Sequence, residues 1–154
     1  MKNNPYLKPL GISLEENDGR KTLSGTFGEN LYLGIGCDNL GECVSPPTSP
    51  VEETIYAQIA DGTIREIFDG FGVELEKLAH TPAQVCDLAV SHKEKLNFSA
   101  LILMQARGNF FVVRVGVRDD GSLCAFVYDL ASDFVWHTES QRRFVVPQLN
   151  TLSD

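Results

Sequence analysis

The chain has 154 residues, 43% of them hydrophobic and 22% charged, and 21 acids against 13 lysines and arginines leave a formal net charge of −8. That composition excludes a disordered chain, which would carry fewer apolar residues for its charge, and it sets the surface against nucleic acid, whose phosphates an acidic protein repels. The length predicts one domain, residues 1–154, with a core that needs no disulfide or metal staple.

Residues 1–20 read as irregular, because "NNP", "KPLG" and "EENDGR" are turn signals. The first 14 residues hold no apolar core of a secretory signal. No window approaches the ~18 apolar residues of a membrane span. The expected setting is therefore cytoplasmic, with no membrane partner and with the four cysteines as reduced thiols. Thr22–Phe27 and Asn30–Ile35 read as two short strands joined by a Gly28-Glu29 turn.

The loop "GIGCDNLGEC", Gly34–Cys43, resembles a site because it is rich in glycine and cysteine. It fails as a dinucleotide loop, since the third glycine comes only at Gly41 and a proline-broken segment follows instead of a helix. Cys37 and Cys43 lack the close pairing of structural zinc ligands, and the acidic loop disfavours a thiolate. No metal, no cofactor and no catalytic residue are expected; a thiol- or metal-dependent enzyme using Cys37 or Cys43 is the alternative.

Beyond Pro46 and Pro47, Ser49 with Pro50 and Glu52 has the form of a capping box, and Val51, Ile55 and Ile59 recur at i, i+4, predicting a helix. Thr63 with Glu66 predicts a second helix carrying Ile64, Ile67, Phe68 and Phe71, and a helical turn is expected over Val73–Ala79. Thr81, Pro82 and Gln84 open the clearest helix, with Val85, Leu88, Ala89, His92 and Leu96 on one face and Lys93 and Lys95 near its end.

Residues 99–130 predict a three-stranded antiparallel meander turning at Gly108-Asn109 and Asp120-Gly121. Those turns pair Met104 with Val113 and Ile102 with Val115, then Val115 with Phe126 and Val113 with Tyr128, giving one apolar face. Strands at Phe134–His137 and Arg143–Val146 follow, with Pro147 ending the last, and residues 148–154 form a tail. The expected fold is α+β: an antiparallel sheet, with a possible N-terminal hairpin, packed on two to three helices.

The opposite sheet face then carries Leu101, Leu103, Arg114, Gly116, Arg118, Ala125 and Asp129, more apolar than a solvated face should be. Within the chain Arg114 would pair with Asp129. Otherwise a partner covers this face, and Arg114, Arg118, Leu101, Leu103 and the nearby Trp136 are the candidate binding residues. The function expected is a non-enzymatic protein-protein interaction module of adaptor, chaperone or immunity type. Its partner would be another protein or a second copy in a homodimer, with no nucleic acid. A small anionic-ligand binding protein centred on Arg114 is a further alternative.

Overall fold

The computed structural model describes residues 7–34, 36–58, 61–92, 100–130, 135–136 and 143–147. Ile35, Ile59, Lys93, Lys95, Leu96, Ser99, Phe134, His137 and the tail from 148 lie outside them. In chain order the elements are β1 (Leu7–Leu14), α1 (Leu23–Phe27), β2 (Leu31–Leu33), β3 (Val51–Gln58), β4 (Gly62–Thr63), α2 (Ile64–Asp69), α3 (Pro82–Ser91), β5 (Ala100–Ala106), β6 (Asn109–Val117), β7 (Leu123–Asp129), β8 (Val135–Trp136) and β9 (Arg143–Pro147).

The α+β class holds, but the sheet is mixed and not antiparallel throughout. Seven strands lie in the order β1-β3-β9-β5-β6-β7-β2. β9 runs parallel to β5, and β2 runs parallel to β7. Each parallel strand reaches its neighbour from a distant part of the chain, so its direction is set by the route of the connection and leaves no local pattern.

Three further expectations are overturned. Residues 51–58 form strand β3, held between β1 and β9, and not a helix capped by Ser49. Val51 and Ile55 share a side at spacing 4 whether the period is 3.6 or 2, so their pattern does not discriminate. β-Branched Val51, Thr54 and Ile55 then favour the strand. Likewise, the N-terminal hairpin does not form. Thr22 caps helix α1 by accepting from the Gly25 N–H at 3.1 Å, and only Leu31–Leu33 is a strand. The turn-rich N-terminus also contains β1, which pairs with β3 along its whole length.

The remaining helices follow their caps. α2 starts at the Thr63–Glu66 capping box, and α3 starts at the Thr81–Gln84 box with Pro82 in its first turn. The Val73–Ala79 segment is a single 3-10 turn, Leu75–Lys77. β8 pairs with β4 in a separate two-stranded ladder, outside the main sheet.

The meander forms, with a different register at each hairpin. Arg107 and Gly108 are the first turn, both at positive φ (53° and 78°), so Met104 pairs with Phe111 and Ile102 with Val113. That register is two residues from the expected one and keeps every side chain on its face. The second turn has three loop residues, closed by Arg118 N–H to Ser122 O at 2.8 Å, with Gly121 at φ 87°. Val115 consequently pairs with Ala125 and Val113 with Val127. This is a one-residue slip, and it exchanges the two faces of β7.

Helices pack on both sheet faces, giving three layers. On one side Leu23 and Phe27 of α1 and Val85, Leu88 and Ala89 of α3 pack on Ile102, Met104, Val113, Val115, Ala125 and Val127. On the other, Ile64, Ile67 and Phe68 of α2 pack with Phe71 and Leu78 on Leu101, Leu103, Val112 and Phe144.

Candidate functional site

α2 is only six residues long, so it covers only part of its sheet face. One cross-strand row shows where the cover ends. It runs Phe144 (β9), Leu101 (β5), Arg114 (β6), Phe126 (β7) and Tyr32 (β2). Phe144 and Leu101 are fully buried under α2, where the Phe68 and Phe144 rings meet edge to face at 5.8 Å. Arg114 and Phe126 are half-buried, and Tyr32 at the edge is 42% exposed.

The open half of this face is an array of rings and guanidinium groups. The Arg114 Cζ lies 4.3 Å from the centroid of the Phe126 ring. Phe126 stacks on Tyr32 at 4.7 Å and 17°, and on Tyr128 at 6.5 Å and 10°. Arg118, four residues on from Arg114 and just past the end of β6, donates from Nη2 to the Tyr32 hydroxyl, and its Cζ sits 5.8 Å from the centroid of that ring. Gly116, buried between the two arginines, adds no side chain to this face. Each cation–ring contact of this kind contributes ~0.5–1 kcal/mol when exposed.

Of the residues expected to bind, Arg114 and Arg118 stand in this array. Leu101 and Leu103 share its face but are core residues beneath α2, with no exposed surface. Trp136 lies in β8, whose backbone pairs with Gly62. The pairing of Arg114 with Asp129 does not occur, because Asp129 is opposite Phe111 and so belongs to the other face. Phe126, Tyr128 and Tyr32 are absent from the sequence-based set. The slipped second hairpin turned Phe126 and Tyr128 to this side, and Tyr32 arrives through the parallel pairing of β2. The Asp119-Asp120-Gly121 run was the available signal, since glycine in the third loop position suits a three-residue turn.

The glycine- and cysteine-rich loop packs into the fold. Cys37 and Leu40 are buried in the core beside α1. Gly34 passes so close to β7 that a Cβ there would sit 2.8 Å from the Val127 carbonyl oxygen. Its N–H bonds that same oxygen at 2.9 Å. Burial, helped by the nearby Asp129 charge, pushes the Cys37 thiol up, and burial raises Cys86 as well. Both shifts oppose thiolate chemistry. None of the four cysteines is joined in a disulfide, and no cluster of three metal-ligating side chains occurs among the described residues.

Two polar groupings lie inside the fold. His80 and Glu53 have no exposed side-chain surface; His80 Nε2 is 2.9 Å and 3.0 Å from the two Glu53 carboxylate oxygens. His80 Nδ1 is 3.1 Å from the Leu103 carbonyl oxygen. A carbonyl only accepts, so Nδ1 is the donor toward Leu103. Backbone bonds from His80 N to Leu103 O and from Gln105 N to His80 O bind this residue to β5 just past its last pair with β9. The pair thus stitches β3 to β5. Nearer the surface, Asp87 of α3 accepts from both Asn17 and Lys21, and this bond raises the Lys21 pKa.

No helix among the described residues is long and apolar enough to cross a membrane. The chain matches no known family model, no curated protein and no solved structure. The functional argument therefore rests on the site.

Proposed function

We propose that this protein is a non-enzymatic protein-interaction module whose contact face is the open half of the sheet, built on Arg114, Arg118, Tyr32, Phe126 and Tyr128. The observation that carries the reading is the Arg114–Phe126–Tyr32 row, which leaves the buried core and reaches the sheet edge with no helix of the described residues over it. Tyrosine and arginine are the side chains most enriched at interface hot spots, and a sheet holds them at low conformational cost. The buried half, with Leu101 and Leu103, is the foundation of this face and not its contact surface.

The partner in this reading is another protein; a second copy of the chain is one outcome of the test. A photo-crosslinking residue replaces Tyr32 in one variant and Val44, 66% exposed and outside the row, in another. A discrete protein adduct from position 32 that is absent from position 44 is expected, and an adduct of twice the chain mass identifies a homodimer. Equal adducts at both positions, or none at 32, reject the reading.

A further inference from the structure

We infer that Arg114 is a receptor for a single carboxylate, carried by a protein segment that is otherwise apolar or basic; this rests on the open sheet half being the contact face. Arg114 stands where the α2-covered half gives way to the open half, between buried Leu101 on one neighbouring strand and Phe126 on the other. Its guanidinium lies over the π face of the Phe126 ring and makes no hydrogen bond within the described residues. A guanidinium resting on a ring keeps its in-plane N–H fork for an incoming acceptor, and a carboxylate matches that fork with two parallel bonds.

The charges near it point the same way. Same-face positions of β5, β6, β7 and β2 hold Arg114 and no carboxylate, and Arg118 follows just past the end of β6. Arg118 has company already, in the Tyr32 hydroxyl and in the neighbouring charge of Asp120. Among the described residues Arg114 has neither, so a half-buried cation at the centre of the face is left to take its counter-charge from a partner.

Two length scales select the ligand. At contact distance the site wants one anion. At longer range the formal charge of −8 repels polyanions and attracts cations. A lone Asp or Glu within a neutral or basic segment satisfies both, whereas a phosphate, at about −1.5 to −2, meets more repulsion. Base stacking is disfavoured by geometry: Phe126 is flanked by Arg114 on one side and Tyr32 on the other, so its ring faces are already occupied.

The test uses a fluorescent alanine–lysine peptide with one central glutamate, together with its glutamine and phosphoserine twins, titrated against the full chain by anisotropy. The glutamate peptide is expected to bind about tenfold more tightly than the glutamine twin. Arg114→Lys, which keeps the charge but loses the fork, should remove most of that preference while the urea midpoint stays in place. Equal binding of the glutamate and glutamine peptides overturns the inference, as does tighter binding of the phosphoserine twin, indifference to Arg114→Lys, or no binding of any peptide. The glutamate–glutamine comparison uses the unaltered protein, so it stands even if a variant folds poorly. If the Tyr32 photo-adduct persists while the glutamate preference is absent, the contact face survives and only the carboxylate fails.

Discussion

The Arg114 guanidinium and the Phe126 ring face each other across β6 and β7, 4.3 Å apart. The pair exists because the hairpin between these strands holds three residues and not two. With a two-residue turn, Arg114 would face the other set of β7 side chains and Asp129 would be near it. One extra loop residue replaces an acid with an aromatic ring, and so changes a closed ion pair into an open cationic site.

That relationship is measurable as a coupling. Arg114→Ala and Phe126→Ala should each destabilise the fold modestly. Their double-mutant cycle in urea should give an interaction of ~0.5–1 kcal/mol. A cycle of Arg114 with Asp129→Ala should give none, since the two lie on opposite faces.

His80 and Glu53 should behave as a buried pair. Glu53→Ala leaves a buried imidazole without its acceptor and is expected to cost about 3–5 kcal/mol. The double variant His80→Phe, Glu53→Leu removes both polar groups at similar volume and should recover much of that loss. Urea unfolding of the three proteins decides it; a double variant as unstable as Glu53→Ala contradicts the pair.

Thiol chemistry should follow burial. Cys43 and Cys124, which are partly exposed, should react with a thiol reagent well before Cys37 and Cys86. The two buried thiols have pKa values raised above the ordinary 9.0, so the native state holds these protons more tightly than the unfolded chain does. Their stabilising effect is complete below that value and is lost as pH rises through the folded-state values. Lys21, also raised, acts in the same direction above its ordinary range. Stability should therefore fall on the alkaline side of pH 9, and Cys86→Ala should make that slope shallower whatever it does to the absolute stability.

Gly34→Ala should loosen the edge strand. A methyl group 2.8 Å from the Val127 carbonyl forces backbone apart, and the bond from Gly34 N–H to the same oxygen goes with it. A loss of roughly 1–3 kcal/mol is expected, with faster amide exchange at Tyr32 and weaker crosslinking from that position.

The caps separate the two kinds of sequence signal. Thr81→Ala should cost ~1 kcal/mol by removing the bond to the Gln84 N–H at 3.1 Å. Ser49→Ala, at an equally good motif, should stay within about 0.5 kcal/mol, because no helix begins there. A large effect at Ser49 would contradict the strand assignment of residues 51–58.

Local chemistry carried far at α2, α3 and the meander. Capping boxes at Thr63 and Thr81 are settled by atoms three residues apart, and glycine turns with alternating apolar residues announce an antiparallel meander without reference to the rest of the chain. The grouping of Leu101, Leu103, Arg114 and Arg118 on one face was legible for the same reason, since β5 and β6 slipped by two and kept their parity.

Tertiary structure decided the rest. Val51–Gln58 carries spacing that suits either period, and flanking by β1 and β9 made it a strand. The parallel arrivals of β2 and β9 depend on chain routes with no local signature. α2 converted Leu101 and Leu103 from a presumed contact surface into core. The candidate site itself turned on one loop residue: composition announced the residue types, but side-chain period in a strand is 2, so only the realised register of β7 could say whether Arg114 would meet an aspartate or a phenylalanine.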